Sequence, residues 1–275
     1  MRQWVVKNVA GSGGKWLDVS AERLPGWIAS FAVRHGLSDA QEGSGRALAV
    51  TVDDDHVSFT AHDGAVAQCY PPFPPAAGMT ALLEEVTPPA RLDDPAVSPA
   101  APDDPAGVAR ALAAHARKPR TVGVLLVRLG GYAAGVFTGY PPVLGPAKVG
   151  SRLVHGRSAA GGWSQHRFAR RREKQASEAL SAAADAAVLI FGGGSVGGGG
   201  GGGGGGKPQP KIARLDAVVL GGDRRAVADL RGDPRLAPYF ALAAERFLTV
   251  PDPKRAVLLE AAKQFTAVKI MLTEP

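Results

Sequence analysis

The run Gly161-Gly162-Trp163-Ser164-Gln165-His166, followed by Arg167, Arg170, Arg171, Arg172 and Lys174, brings together the residue types best suited to chemistry. A glycine turn leads into a helix predicted from about residue 165. Main-chain N–H groups at such a start can come close to a phosphate or a developing oxyanion. Ser164 is placed to N-cap that helix. Between Arg152 and Lys174, seven Lys or Arg (Arg152, Arg157, Arg167, Arg170, Arg171, Arg172, Lys174) stand against one acid, Glu173. That is a net +6, whereas the whole 275-residue chain carries +7. Cations gathered in one place favour a polyanion, because they release condensed counterions together.

At 100° per residue, Arg167, Arg170, Arg171 and Lys174 share one helix face, with Ala169, Ala176, Leu180 and Ala183 roughly opposite. A solvated charged face is the ordinary explanation of such a run. Here, however, four cations at i, i+3, i+4 and i+7 repel one another, with no acid among them. They also lie at the helix end where the macrodipole disfavours positive charge. A nucleic-acid partner offsets both costs.

Other signals are weaker. Gly162-Trp163-Ser164-Gln165-His166 misses the nucleophile elbow G-x-S-x-G by one histidine, so the tight turn that activates a serine is not supported. Gly201–Lys207 matches the start of a phosphate-binding loop, but Pro208 replaces the hydroxyl residue that would hold magnesium. The six histidines lack metal-ligand spacing; His155 and His166 stand out only because they flank the basic loop. A single cysteine, Cys69, excludes an internal disulfide and a paired-cysteine zinc site.

These residues need a scaffold. The 45% hydrophobic content supports a folded core, and the absence of a signal-like or membrane-spanning apolar run predicts a soluble cytoplasmic protein. A helix is expected over 16–36, then a meander of short strands over 46–70, closed by Pro71-Pro72-Phe73-Pro74-Pro75. An α+β amino-terminal region thus spans 1–85. A Pro-, Ala- and Asp-rich linker with a short helix follows at 86–118. Beyond it, Thr121–Arg128 and Tyr132–Thr138 flank Gly130-Gly131 as a β-hairpin, with a third strand at 147–155 and the basic helix at about 165–186. The glycine-rich stretch at 192–210, ten consecutive glycines included, predicts a disordered insertion. Strands at 215–220, 246–250 and 266–272 alternate with helices at 223–231, 236–244 and 253–264. The fold class expected is α/β, with 119–275 as the catalytic domain.

Val122–Arg128 with Tyr132–Gly139, then Gly161-Gly162-Trp163-Ser164-Gln165 running into the arginine helix and Gln175, resemble the Vms-like release-factor family in its actinobacterial-type branch. Val218-Val219-Leu220-Gly221-Gly222-Asp223 is similar to the strand and turn after the long helix of that fold. The resemblance implies a mixed sheet with flanking helices, like the catalytic middle domain of eukaryotic-type peptide chain release factors. It implies action on peptidyl-tRNA held by stalled ribosomes or large subunits, by a monomer with no cofactor, metal or membrane. The release-factor signature is Gly-Gly-Gln; here Trp163 and Ser164 separate Gly162 from Gln165.

Under this resemblance, Gly161, Gly162, Ser164 and Gln165 are the candidate catalytic residues, and Arg157, His166, Arg167, Arg170, Arg171 and Lys174 the RNA-binding set. A glutamine amide has no proton to exchange near neutrality, so Gln165 can orient a water but cannot act as general base. Nearby N–H groups would stabilise the charge on the ester carbonyl. The arginines would grip phosphates, a contact that positions without reading sequence. With about four to seven phosphates of a single strand neutralised, log affinity should fall against log salt with a slope near −3 to −5. Two other functions fit the same residues. One is an endonuclease cutting the tRNA 3′ end, with His155 or His166 as base. The other is a non-catalytic ribosome-binding factor, for which Gln165 would be dispensable.

Overall fold

The computed structural model describes residues 14–36, 48–75, 77–86, 104–128, 130–151, 164–193 and 214–275, with side chains for all of these except 84–86 and 164–176. In chain order its elements are β1 (Lys15–Val19), α1 (Leu24–His35), β2 (Leu48–Val52), β3 (Val57–Ala61), β4 (Val66–Tyr70), α2 (Gly78–Val86), α3 (Pro105–Ala116), β5 (Arg120–Arg128), β6 (Gly131–Gly139), β7 (Val143–Ser151), α4 (Ser164–Phe191), β8 (Ala217–Gly222), α5 (Arg224–Leu230), a 3-10 turn (Pro234–Leu236), α6 (Ala237–Phe240), β9 (Ala243–Leu248), α7 (Arg255–Thr266) and β10 (Val268–Thr273). The protein is mixed α/β, with two five-stranded sheets. The chain divides into two compact units, one of Met1–Arg117 with Thr266–Pro275, the other of Lys118–Phe265.

In the first unit the strand order is β1-β10-β4-β3-β2, antiparallel throughout. The expected meander forms as β2, β3 and β4. Its second turn relies on Gly64 at φ +92° and on Asp63, whose Oδ1 accepts from Ala65 N at 2.9 Å. The Ala65 amide and the His35 ring beside it hold the Asp63 carboxyl below the usual carboxylate range. Leu24, Ile28 and Phe31 of α1 are buried at i, i+4 and i+7, the spacing of one helix face. Residues 16–19, expected to open that helix, instead belong to β1, an edge strand on β10. Five residues are too few for their alternation to outweigh the apolar spacing that follows.

In the second unit the order is β7-β6-β5-β8-β9. The hairpin forms as β5 and β6, with Gly130 at φ +107° in the turn. The third strand lies at Val143–Ser151, several residues earlier than expected; 152–155 fall outside the described residues. Strands β5, β8 and β9 run parallel. Val122 and Val124–Val127 make β5 apolar on either side of Gly123, as suits a strand covered on both faces. One face packs against α4. Towards the other, Phe137 meets Phe265 of α7 edge-on, with centroids 5.4 Å apart.

Two expectations change here, and one helix is new. The helix expected over 236–244 is reduced to the 3-10 turn and the single turn of α6, because Ala243–Leu248 is taken into the sheet as β9. The strand expected over 266–272 forms as β10, but it pairs with β1 and β4 and so completes the first sheet. Helix α2, at the end of the expected amino-terminal region, had no expectation attached to it.

Candidate functional site

Helix α4 carries the candidate residues. Its 28 residues span about 42 Å, longer than the nine-residue strands β5 and β6 beneath it, each about 30 Å. Its second half is anchored on the sheet. Ala183, Ala184, Ala186, Ala187, Ile190 and Phe191 are buried against Leu125, Val127, Ala134, Val136, Val218 and Leu220. The alanines let the helix axis come close to the sheet. Gly123 serves the same fit, since a Cβ there would lie 3.0 Å from the Phe191 ring and 3.1 Å from Leu215 Cδ1. On the outer side, Arg235 bonds Asp185 of α4 and Asp233, both at 2.7 Å. Those bonds hold the Asp233 carboxyl below the usual range and raise the Arg235 guanidinium further.

The direction of α4 follows from these contacts. Phe191 sits over Gly123 in the first half of β5, whereas Ser177, Leu180 and Ser181 lie beside Val127 and Arg128 at its carboxyl end. The turns before Ser177 therefore run on past that end of the sheet, by about 20 Å for thirteen residues. Strand β7 finishes at the same end, where Ser151 pairs with Gly131 beside the hairpin turn. Ser177, Glu178, Ser181 and Asp185 are exposed. Continuing the helical phase back from them places positions 167, 170, 171 and 174 on the same outer face.

A cleft of about 640 Å³ opens at this point, at the carboxyl ends of the parallel pair β5 and β8. Here the strand order leaves in opposite directions, towards β6 on one side and β9 on the other. Open α/β sheets bind ligands at such switch points. Val127, Leu180 and Ala226 give the cleft an apolar floor, and Ser181, Arg225 and Asp229 are among its polar lining. Asp223 caps α5, its Oδ1 accepting from Arg225 N at 2.8 Å and Ala226 N at 3.3 Å. Ser181, Arg225 and Asp229 drew no attention in the sequence, because they are single polar residues on α4 and α5 that only the fold gathers.

Of the candidate catalytic residues, Gly161 and Gly162 lie outside the described residues, as do Arg157, His155 and Trp163. Ser164 and Gln165 occupy the first turn of α4, which takes in Ser164 itself, one residue before the expected start. His166, Arg167, Arg170, Arg171 and Lys174 follow within the next three turns, on backbone whose side chains are not described. The glycine-rich stretch from 194 to 213 is also outside the described residues. Among the described residues, no group of three or more His, Cys, Asp or Glu is placed to hold a metal ion, and no helix is long and apolar enough to cross a membrane.

No curated protein matches the chain. The family model of the Actinobacteria/chloroflexi VLRF1 release factor matches residues 120–271, more than half of the 275. The match takes in the hairpin, α4 and the parallel strands that form the cleft. The chain therefore belongs to the Actinobacteria/chloroflexi VLRF1 release factor family.

Proposed function

We propose that this protein releases nascent chains from peptidyl-tRNA on stalled ribosomes or large subunits, by hydrolysis of the ester at the tRNA 3′ end. Membership of a release-factor family supports the ribosome-associated role. The observation that carries the site assignment is the helix that overhangs its own sheet, with Ser164 and Gln165 in its first turn and the cationic positions on its outer face. A projecting basic helix can enter an RNA-walled cavity that a compact domain cannot.

Gly161 and Gly162 supply a permissive backbone ahead of the helix, and the free N–H groups of the first turn point towards developing negative charge. Gln165 orients a water towards the ester carbonyl, its amide donating to or accepting from that water without gaining or losing a proton. The ribosomal RNA supplies the rest of the environment. Arg157, His166, Arg167, Arg170, Arg171 and Lys174 hold acceptor-end or ribosomal phosphates, and the helix transmits that hold to the reacting end.

The test uses stalled complexes carrying peptidyl-tRNA labelled at the tRNA 3′ end, incubated with wild type and with Gln165→Ala, and the RNA resolved at single-nucleotide resolution. The expected result is released peptide with an intact 3′ end, and a fall in rate of about 100-fold or more in the variant while ribosome binding persists. Peptide still bearing a short RNA fragment would replace hydrolysis with endonucleolytic cleavage. Binding without release by either protein would leave a non-catalytic factor.

A further inference from the structure

The first unit's sheet has two unlike faces. Val57, Phe59, Ala67, Cys69 and Ile270 are buried on one. The other carries, in cross-strand register, the row Asp18–Lys269–Tyr70 and beside it the row Trp16–Met271–Gln68. Trp16 is 53% exposed. Its ring centroid lies 5.5 Å from that of Tyr70, and Lys269 Nζ is 5.8 Å from the indole. Tyr70 in turn stacks on His56, with centroids 4.7 Å apart and planes 20° from parallel. That imidazole is held from both sides, Nδ1 at 2.7 Å from Asp55 Oδ1 and Nε2 at 3.2 Å from Asp53 Oδ2.

Cross-strand aromatic pairs stabilise sheets, and the Tyr70–His56 stack is accounted for in that way. Trp16 pairs with Tyr70 and Lys269 as well, yet more than half of its surface stays open, and that open part contributes nothing to the fold. What the arrangement provides is a row of rings fixed in advance by clamped neighbours, with an ammonium at its rim.

We infer that this face stacks bases of single-stranded RNA, with Trp16 as the principal ring and Lys269 placed for an adjoining phosphate. Every base has a π-face, and aromatic side chains on an open sheet are a recurrent platform for unpaired strands. The remaining neighbours favour RNA over a protein partner. Thr60 and Thr273 offer hydroxyl groups, where a protein-docking core would be chiefly apolar and aromatic. Asp18 stands opposite Lys269, so stacking dominates over charge. The salt slope of this contact should be shallow, about −0.7 for one phosphate. The inference concerns the unit other than the one carrying Gln165 and uses neither that residue nor the arginines of α4.

The test uses the full chain with Arg167, Arg170, Arg171 and Lys174 all changed to Gln, so that α4 does not dominate. The probe is a fluorescein-labelled single-stranded RNA of about twelve nucleotides, alone or annealed to its complement, read by anisotropy. Trp16→Ala is expected to weaken single-strand binding by roughly 5- to 150-fold, with Trp16→Phe retaining most of it. Trp16→Lys should also weaken binding, despite its added positive charge, and the duplex should bind poorly. A Trp16→Lys variant that binds as tightly as its parent, or a Trp16→Ala variant within twofold of it, overturns the inference. Crosslinking of a 5-iodouridine-substituted strand to the Trp16 peptide is the expected companion result, and crosslinks confined to other segments overturn it. Peptide release by the wild-type protein is scored separately, so either idea can fail while the other stands.

Discussion

Gly222→Ala tests the junction on which the cleft rests. Gly222 ends β8 at φ +101°, directly before the cap of α5, and a Cβ there would lie 2.1 Å from the Val127 carbonyl oxygen and 2.8 Å from its carbon. Real Cβ contacts essentially never fall below 3.0 Å, so the β5 and β8 backbones must part by about 0.9 Å. The left-handed conformation costs an alanine about 1–3 kcal/mol. Forced repacking adds about 1–3 kcal/mol. The bond from Asp223 N to Val127 O, 2.7 Å long, is lost with the separation, at about 1 kcal/mol. The total is roughly 3–7 kcal/mol, a large part of the ~5–15 kcal/mol by which domains are stable. Gly64→Ala is the control. Its φ is +92°, yet nothing lies within 4 Å of the added carbon, so only the conformational cost of about 1–3 kcal/mol applies. Urea unfolding of both variants, with the denaturant slope held common, separates the two terms. If Gly222→Ala costs no more than Gly64→Ala, the close approach of β8 to β5 is not what fixes α5 at the cleft.

Two further outcomes are expected. Asp233 has a folded value below the usual carboxylate range because of its bonds to Arg235, so the stability it contributes is present above about pH 3.9 and lost as pH falls through that lower value. Asp233→Asn should therefore melt below wild type at pH 6, the gap closing towards pH 2; a gap independent of pH would show that the ion pair is not responsible. Cys69 is fully buried and burial pushes its thiol up, so a disulfide reagent at pH 8 should label native protein negligibly and denatured protein stoichiometrically; rapid native labelling would mean that the first sheet opens readily.

Local signals carried far in this chain. The hairpin around Gly130-Gly131 and the meander over residues 48–70 follow from turn chemistry and period, both of which act within a few residues. The failures share a cause. β1 is a strand only because β10 lies beside it, and the two are distant in sequence. β9 begins at Ala243, three residues before the strand expected at 246–250, because β8 offers a parallel edge. Strand β7 contains Gly145 and Pro146, which blur the alternation that would have placed it. The candidate site divides in the same way. The arginine run and the glycine turn are contiguous, so the sequence alone could single them out. The cleft is built from Leu180 on α4, Val127 on β5 and Asp229 on α5, and no spacing rule connects them.

Strand β10 has a consequence for the order of events during synthesis. It occupies the second position of the first sheet, between β1 and β4, yet residues 268–273 are made after the whole of Lys118–Phe265. The first unit is thus discontinuous, and the second is an excursion between two of its hydrogen-bonded neighbours. While the second unit is being translated, β4 presents an unpaired edge, the kind of surface that recruits stray strands. Closing so long a loop late is not itself demanding, because loop entropy grows only with the logarithm of length. Prior folding of Lys118–Phe265 shortens it further by fixing its own ends. The first sheet therefore cannot be completed until residues 268–273 have been made, and β4 stays open to mispairing until then.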